Sequence, residues 1–176
     1  MIQIRPATTR DIPYIRAVHL AAFDKDEAET VAGLATSLLT ERSEPATISL
    51  VAAHGNSVIG HVAFSPVSIA EPGSWQGYIL APLGIDPDFQ RRGIGSQLIE
   101  TGIGKLNRQG CNCLLVYGDP HYYGRFGFDP DIAKDYVPPY PLEYPHGWQA
   151  QILHPSDIHT PVDFTCVESL SDPTMW

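Results

Sequence analysis

Long hydrophobic runs are missing from this 176-residue chain. No apolar stretch reaches the roughly 18 residues that a membrane-spanning helix needs. The first residues, Met1-Ile2-Gln3-Ile4-Arg5, lack the basic-then-apolar pattern of a secretory signal and read as a strand, so a cytoplasmic protein is expected. Cysteine is scarce and odd in number, at Cys111, Cys113 and Cys166. That argues against a disulfide framework, and Cys111-Asn112-Cys113 lacks the second ligand pair of a zinc site. The seven histidines are scattered, with no His-x-x-x-His pair on a helix, so no metal is expected. Positive charge is also short: 11 Lys and Arg stand against 20 Asp and Glu, for a net charge of −9 without a basic cluster, which argues against a nucleic-acid partner.

What is present is an ordinary globular composition, long enough for one domain with one sizeable core. The spacing predicts a strand at Ile2 to Arg5 and a helix capped by Thr9 or Asp11 that runs to about Phe23, with Pro13 in its first turn. Apolar residues from Ala28 to Leu39 mark a second helix over about Asp26 to Glu41. Ile48 to Ala52 and Val58 to Ser65 read as antiparallel strands. A turn at Glu71-Pro72-Gly73-Ser74 leads to a third strand from Trp75 to Asp86. A helix to about Gln109 follows, stopped by Gly110. Cys113 to Tyr117 reads as a strand buried on both faces. Trp148 to Leu153 and Val162 to Val167 read as closing strands. The stretch from Val137 to His146 is rich in proline and aromatics and is expected as a rigid extended segment, either a structural strap or a lid.

The most informative segment is Leu83-Gly84-Ile85-Asp86-Pro87-Asp88-Phe89-Gln90-Arg91-Arg92-Gly93-Ile94-Gly95. It is a short apolar strand, a turn and a glycine-spaced start to an amphipathic helix, with Ile94, Leu98, Ile99, Ile103 and Leu106 on one face. The first N–H groups of a helix have no intrahelical acceptor and carry partial positive charge. Gly93 and Gly95 let an anion approach that backbone with no Cβ in the way. A phosphate or pyrophosphate fits this chemistry. It is neither of two familiar loops: Leu98 stands where the dinucleotide fingerprint needs its third glycine, and no Gly-Lys-Ser/Thr follows.

Gln90, Gly93 and Gly95 fill the Gln/Arg-x-x-Gly-x-Gly/Ala pattern of the acyl-CoA pyrophosphate loop, and the segment resembles that loop in the GNAT family of N-acetyltransferases. One strand later, Tyr122-Tyr123-Gly124-Arg125-Phe126-Gly127-Phe128 contains Tyr-x-x-x-Gly-Phe, similar to the family's second hallmark. The starts at Ile4-Arg5-Pro6-Ala7-Thr8 and Ala53 to Val62 are similar as well. The broad resemblance covers about Ile2 to Phe128. Tyr117-Gly118-Asp119-Pro120-His121 resembles the YhbS-like branch, whose likeness extends over nearly the whole chain.

The resemblance implies an α/β (α+β) fold: one GNAT domain over residues 1–176 with a mixed central sheet flanked by helices and splayed strands that hold acyl-CoA. Residues 129–176 are then a C-terminal extension closing the sheet. It implies an acetyl-CoA-dependent N-acetyltransferase acting on a small-molecule, peptide or protein amine by direct attack in a ternary complex. A non-catalytic acyl-CoA sensor and a partner-binding module are the alternatives. Leu83, Gly84 and Ile85 would pair with the pantetheine arm, and the backbone of Gln90, Arg91, Arg92, Gly93, Ile94, Gly95 and Ser96 would hold the pyrophosphate. Tyr123 would be the general acid at the thioester sulfur. The general base is open among Glu27, Glu29, Asp119, His121 and His61, since the chain has no glutamate between Trp75 and Gln90; Glu29 and His121 are carried forward. The partners implied are acetyl-CoA and an amine acceptor, with no nucleic acid and no membrane. Oligomeric state is not legible, a homodimer being the assembly to look for.

Overall fold

The structure is a computed structural model that describes residues 1–71 and 73–176. Among the described residues, nine strands and five helices follow one another in chain order: β1 (Ile2–Pro6), α1 (Ile12–Ala22), α2 (Lys25–Thr40), β2 (Ile48–His54), β3 (Ser57–Ser68), β4 (Gly77–Ile85), α3 (Ile94–Arg108), β5 (Cys113–Tyr117), α4 (Pro120–Tyr123), α5 (Pro130–Ala133), β6 (Tyr136–Val137), β7 (Trp148–Ile152), β8 (Val162–Asp163) and β9 (Thr165–Cys166). A seven-stranded mixed sheet has the order β1-β2-β3-β4-β5-β7, with β9 also paired to β3. This is the helix-flanked mixed sheet that the sequence predicts. Two compact units form, Met1–Phe64 with Ala81–Ile103, and Ser65–Leu80 with Gly104–Trp176.

In the first unit, β1 and β2 are antiparallel, as are β2 and β3. Helix α1 buries Ile15, Val18 and His19, the i, i+3, i+4 set of one face. Helix α2 buries Ala28, Ala32, Leu34, Ala35 and Leu38, and its small alanines allow close packing. Ile15, Val18, Ala35, Val51 and Val58 form one apolar cluster. The predicted caps of α1 differ in detail. Thr8 caps a single 3-10 turn, Thr9–Asp11, and α1 begins after it. Asp11 is turned back, accepting from both Arg5 guanidinium nitrogens at 2.8 Å and from the Thr8 N–H at 2.8 Å. Arg5 is the main reason that its carboxyl is held down at about 2.

Of the apolar face expected to seat helix α3, Ile103 is half-buried, while Ile94, Leu98, Ile99 and Leu106 are all buried. Each contributes about 1.5–3 kcal/mol by leaving water. At Gly102 the helix meets the Phe64 ring so closely that a Cβ would lie 2.1 Å from Cε2.

In the second unit, β4 and β5 are parallel from Gly77↔Cys113 to Leu80↔Val116, and β7 lies antiparallel to β5. Strand β4 starts at Gly77, two residues later than predicted. The Trp75 indole folds back over Gly77, where a Cβ would lie 2.3 Å from it, and stacks on Tyr136 at 6.4 Å. The predicted turn before it is seen at Gly73 and Ser74, while Pro72 lies outside the described residues. The single closing strand expected over Val162 to Val167 is divided. Val162–Asp163 pairs in parallel with β6, and Thr165–Cys166 pairs antiparallel with β3. Phe164 between them turns inward and stacks on Trp148 at 5.8 Å. That ring belongs to a cluster with Trp176 and Tyr140, and Trp148 donates its indole N–H to the Tyr136 carbonyl at 2.8 Å. The proline- and aromatic-rich extension is thus organised by stacked rings and one buried indole hydrogen bond.

The Phe64 contact yields a stability prediction. Gly102→Val forces a branched side chain into that ring and should cost about 2 kcal/mol or more, lowering Tm by about 4–8 °C. Thermal unfolding by circular dichroism checks this; an unchanged Tm would mean that the helix sits farther from β3.

Candidate functional site

The first unit carries the loop between β4 and α3. After Ile85, the Asp86 N–H donates to the Ile59 carbonyl at 2.9 Å, fixing where the strand ends. The Asp86 carboxylate accepts from the Asp88 N–H at 3.0 Å and caps a 3-10 turn, Pro87–Phe89. The Gln90 side-chain amide donates to the Ile85 carbonyl at 3.1 Å, tying the loop back to the strand. Arg91 then has φ +59° and Gly93 φ +79°. A left-handed Arg is uncommon and costs energy, so it marks a conformation imposed by the loop. Left-handed residues within a turn are a feature of the backbone N–H nests that bind anions.

The α3 ladder begins with the Gln97 N–H donating to the Gly93 carbonyl at 3.0 Å. The N–H groups of Ile94, Gly95 and Ser96 precede that bond, in the turn that a helix leaves without intrahelical acceptors. No heavy atom lies within 4 Å of where a Gly93 side chain would project. Arg91, Arg92 and Gly93 are exposed, and the Arg92 guanidinium rests over the Phe89 ring at 5.2 Å. Open backbone donors, two cations and a helix N-terminus fit a diphosphate. Gly84 on β4 is buried against the His19 imidazole, while Leu83 and Ile85 are half-buried.

The base candidate Glu29 lies in the same unit, on the exposed side of α2, ion-paired with Arg16 of α1. The same unit also holds a buried pair that sequence reading found only in part. His61, one of the open candidates, is hydrogen-bonded to His19 and to Ser49, neither of which was singled out. The available signal was a histidine on the buried stripe of α1 and another inside the apolar run of β3.

The second unit carries the tyrosine motif. Asp119 caps α4 by accepting from the His121 N–H at 2.9 Å, and Pro120 fits the first turn. Tyr123 ends that turn. Its ring meets Tyr122 edge-on at 5.0 Å and Phe128 at 5.9 Å. Gly118 completes the seat, since a Cβ there would lie 2.5 Å from the Tyr123 ring. Gly118 is in turn held by its N–H bond to the Gly147 carbonyl at 2.9 Å and by the Gln149 amide at 3.1 Å. The Tyr123 ring is therefore fixed, while its hydroxyl has no hydrogen-bond partner among the described residues. Burial, and secondarily Tyr122, raises its pKa and keeps the phenol protonated. Tyr122 is occupied differently, with the Arg125 guanidinium over its ring at 4.7 Å. His121 and Asp119 are exposed.

The thiols offer no nucleophile. Burial pushes Cys111, Cys113 and Cys166 up to about 12. At neutral pH such groups are almost wholly thiol, and only the thiolate is reactive.

The sequence profile of the Acetyltransferase (GNAT) family matches residues 14–128. The chain is 38% identical over 148 residues to the uncharacterized N-acetyltransferase YjhQ of Escherichia coli K12, covering 81% of this chain and 80% of that protein. It is 36% identical over 129 residues to the uncharacterized N-acetyltransferase YhbS of the same strain, covering 72% of each. Among solved structures, E. coli YhbS in complex with CoA superposes with a TM-score of 0.74 at 29% identity, over 87% of this chain and 82% of that one. A GNAT family acetyltransferase from Brucella melitensis in complex with acetyl-CoA gives 0.73 at 28% identity, over 97% and 98%.

The raised thiol pKa values carry a direct test. At about pH 8 a thiol of pKa about 12 is ionised to only about one part in ten thousand. The native protein should therefore react very slowly with Ellman's reagent, and all three thiols should react at once on unfolding. Rapid native reaction of any one would contradict the assignment of inert cysteines.

Proposed function

Because the chain belongs to the GNAT family of acetyltransferases, we propose that it moves an acetyl group from acetyl-CoA to a primary amine by direct attack in a ternary complex. The observation that carries this reading is one chain holding both a diphosphate-suited cradle at Gln90–Ser96 and a rigid phenol, at Tyr123, whose hydroxyl has no hydrogen-bond partner among the described residues. The CoA complex of the relative YhbS and the acetyl-CoA complex of the Brucella protein support the same donor.

Acetyl-CoA supplies an activated acyl group on a thiol leaving group. The backbone N–H groups of Arg91 through Ser96 hold the pyrophosphate, with Arg91 and Arg92 adding positive charge. Leu83, Gly84 and Ile85 present main-chain groups of β4 to the peptide-like pantetheine arm. Tyr123 gives its proton to the departing sulfur. A thiol near pKa 8–9 leaves more readily with such a donor, typically by about 100-fold. The buried cysteines are consistent with attack by the amine itself, with no acyl-enzyme.

The acceptor is a small amine or a peptide or protein amine. An alkylamine of pKa near 10 is only about one part in a thousand neutral at pH 7, so a proton must be removed before attack. Glu29 and His121 are the exposed candidates for that step; Glu29 is engaged by Arg16, whereas the His121 imidazole is unpartnered among the described residues. The acidic surface favours a cationic acceptor. A cytoplasmic setting suits the free thiols, and no step requires a second copy of the chain. No helix among the described residues is long and apolar enough to cross a membrane.

The test is thiol release from acetyl-CoA across a panel of primary amines, amino acids and peptides, comparing wild type with Tyr123→Phe. The variant should keep acetyl-CoA affinity within about two-fold and lose about 100-fold in turnover. Equal turnover would remove Tyr123 as the acid. Acetyl-CoA binding without turnover on any amine would favour the sensor reading.

A further inference from the structure

The interior of the first unit holds a polar chain that this reaction scheme leaves unused. His19 on α1 and His61 on β3 are both 0% exposed, and Ser49 on β2 is 9% exposed. His19 Nε2 lies 2.8 Å from His61 Nδ1, and His61 Nε2 lies 2.8 Å from Ser49 Oγ. At the other end, His19 Nδ1 is buried without a hydrogen-bond partner among the described residues. It faces Gly84, where a Cβ would lie 2.6 Å away. An unpaired buried polar atom costs about 1–3 kcal/mol. A phenylalanine would fill the same space without that cost, so a retained orphan of this kind calls for a reason. Its position supplies one, since Gly84 lies in the β4 segment assigned to the acyl-bearing arm.

Resting on the acetyl-transfer reading, we infer that His19, His61 and Ser49 form a proton relay that carries the amine's proton from the Gly84 end of β4 to Ser49. In the starting arrangement, His19 donates through Nε2 to His61 Nδ1, His61 donates through Nε2 to Ser49 Oγ, and His19 Nδ1 holds a lone pair. As the amine gives its proton to His19 Nδ1, the His19 Nε2 proton passes to His61 Nδ1. The His61 Nε2 proton passes to Ser49 Oγ, and the original Ser49 hydroxyl proton leaves to solvent. One proton enters and one leaves. Both imidazoles start and finish neutral with their tautomers exchanged.

The surroundings suit a neutral relay. Burial lowers His19 to about 4 and holds His61 well below the usual imidazole range, with His19 adding to the effect. The charged groups facing the pair are few. Asp11, at the start of α1, opposes the lowering at His61 and is itself held ionised by Arg5 of β1. Phe23 stacks on His19 at 5.9 Å, and β4 meets the His19 ring at Gly84. The other charged pair of α1, Arg16 with Glu29, lies on the exposed side. His19 is the receiving group; His61 and Ser49 are positioning residues that act through it. Gly84 keeps the strand's thickness at that point to a bare Cα.

The test combines imidazole nitrogen NMR on the intact chain with kinetics. Saturation with acetyl-CoA should shift the His19 Nδ1 signal, and Ser49→Ala should redistribute the tautomers of both buried histidines. No response of either histidine to bound acetyl-CoA would overturn the relay. With n-butylamine as acceptor, His61→Gln keeps hydrogen-bonding reach but cannot pass a proton. It should lose about 10-fold or more in turnover, with the KM for acetyl-CoA held within about two-fold and an altered profile from about pH 6 to about pH 9. A purely structural pair would be rescued by that glutamine. Full activity in His61→Gln, or pH dependence removed by His121→Ala alone, would overturn the relay and leave acetyl transfer standing. Absence of acetyl-CoA binding in the wild type would instead sink the acetyl-transfer reading on which it rests.

Discussion

The seat of α3 on the sheet is the constraint on which the cofactor loop depends. Two glycines allow it. A Cβ at Gly60 would lie 2.9 Å from Ile85 Cδ1 and 3.2 Å from Leu98 Cδ1, and one at Gly102 would run into the Phe64 ring. Backbone and side chain therefore approach closely on both sides of the contact. With Ile94, Leu98 and Ile99 buried, the helix has little freedom to slide or rotate. Its N-terminus is placed just beyond the end of β4, and the short turn between them adopts left-handed geometry at Arg91 and Gly93 as a result. Packing in the core thus sets the direction in which a row of unpaired N–H groups faces.

The chemistry follows from which groups are allowed to carry charge. Burial keeps the three thiols protonated, the Tyr123 phenol protonated and the His19–His61 pair neutral. An interior of this kind is poorly suited to a covalent cysteine intermediate and well suited to moving protons between neutral partners. The anionic groups near it are paired: the buried Asp11 is locked by Arg5 and Thr8, and Glu29 is held by Arg16 on the exposed side of α2. Positive potential is concentrated where the loop needs it, at Arg91, Arg92 and the start of α3, in a chain that is acidic as a whole.

Much of this was legible in the sequence because local rules and tertiary packing agree. The period-3.6 stripe of Ile94, Leu98, Ile99, Ile103 and Leu106 predicted the helix and its inward face, with Ile103 only half-buried. The alternation of Ile48, Leu50 and Ala52, the return after the turn at His54 to Ser57 and the apolar run at Cys113 to Tyr117 predicted strands, although β2 and β3 prove buried on both faces. Family membership followed from two ordered motifs. The details that sequence missed arise from contacts distant along the chain. Trp75 leaves the strand because its indole finds Gly77 and Tyr136, and the Val162 to Val167 segment divides because Phe164 finds Trp148. Asp11 turns back from its helix because a guanidinium six residues earlier and the Thr8 N–H hold its carboxylate. The His19–His61–Ser49 chain draws its members from three elements, and no spacing rule in one dimension reveals it.

The central claim is that this chain binds the acyl donor at the β4–α3 loop, and a calorimetric titration of the wild-type protein with acetyl-CoA at physiological salt tests it most directly. The account predicts one-to-one binding in the micromolar range, with the free thiol of CoA competing for the same site. Absence of heat up to millimolar acetyl-CoA would contradict it and leave the cradle as a packing device at the start of a helix.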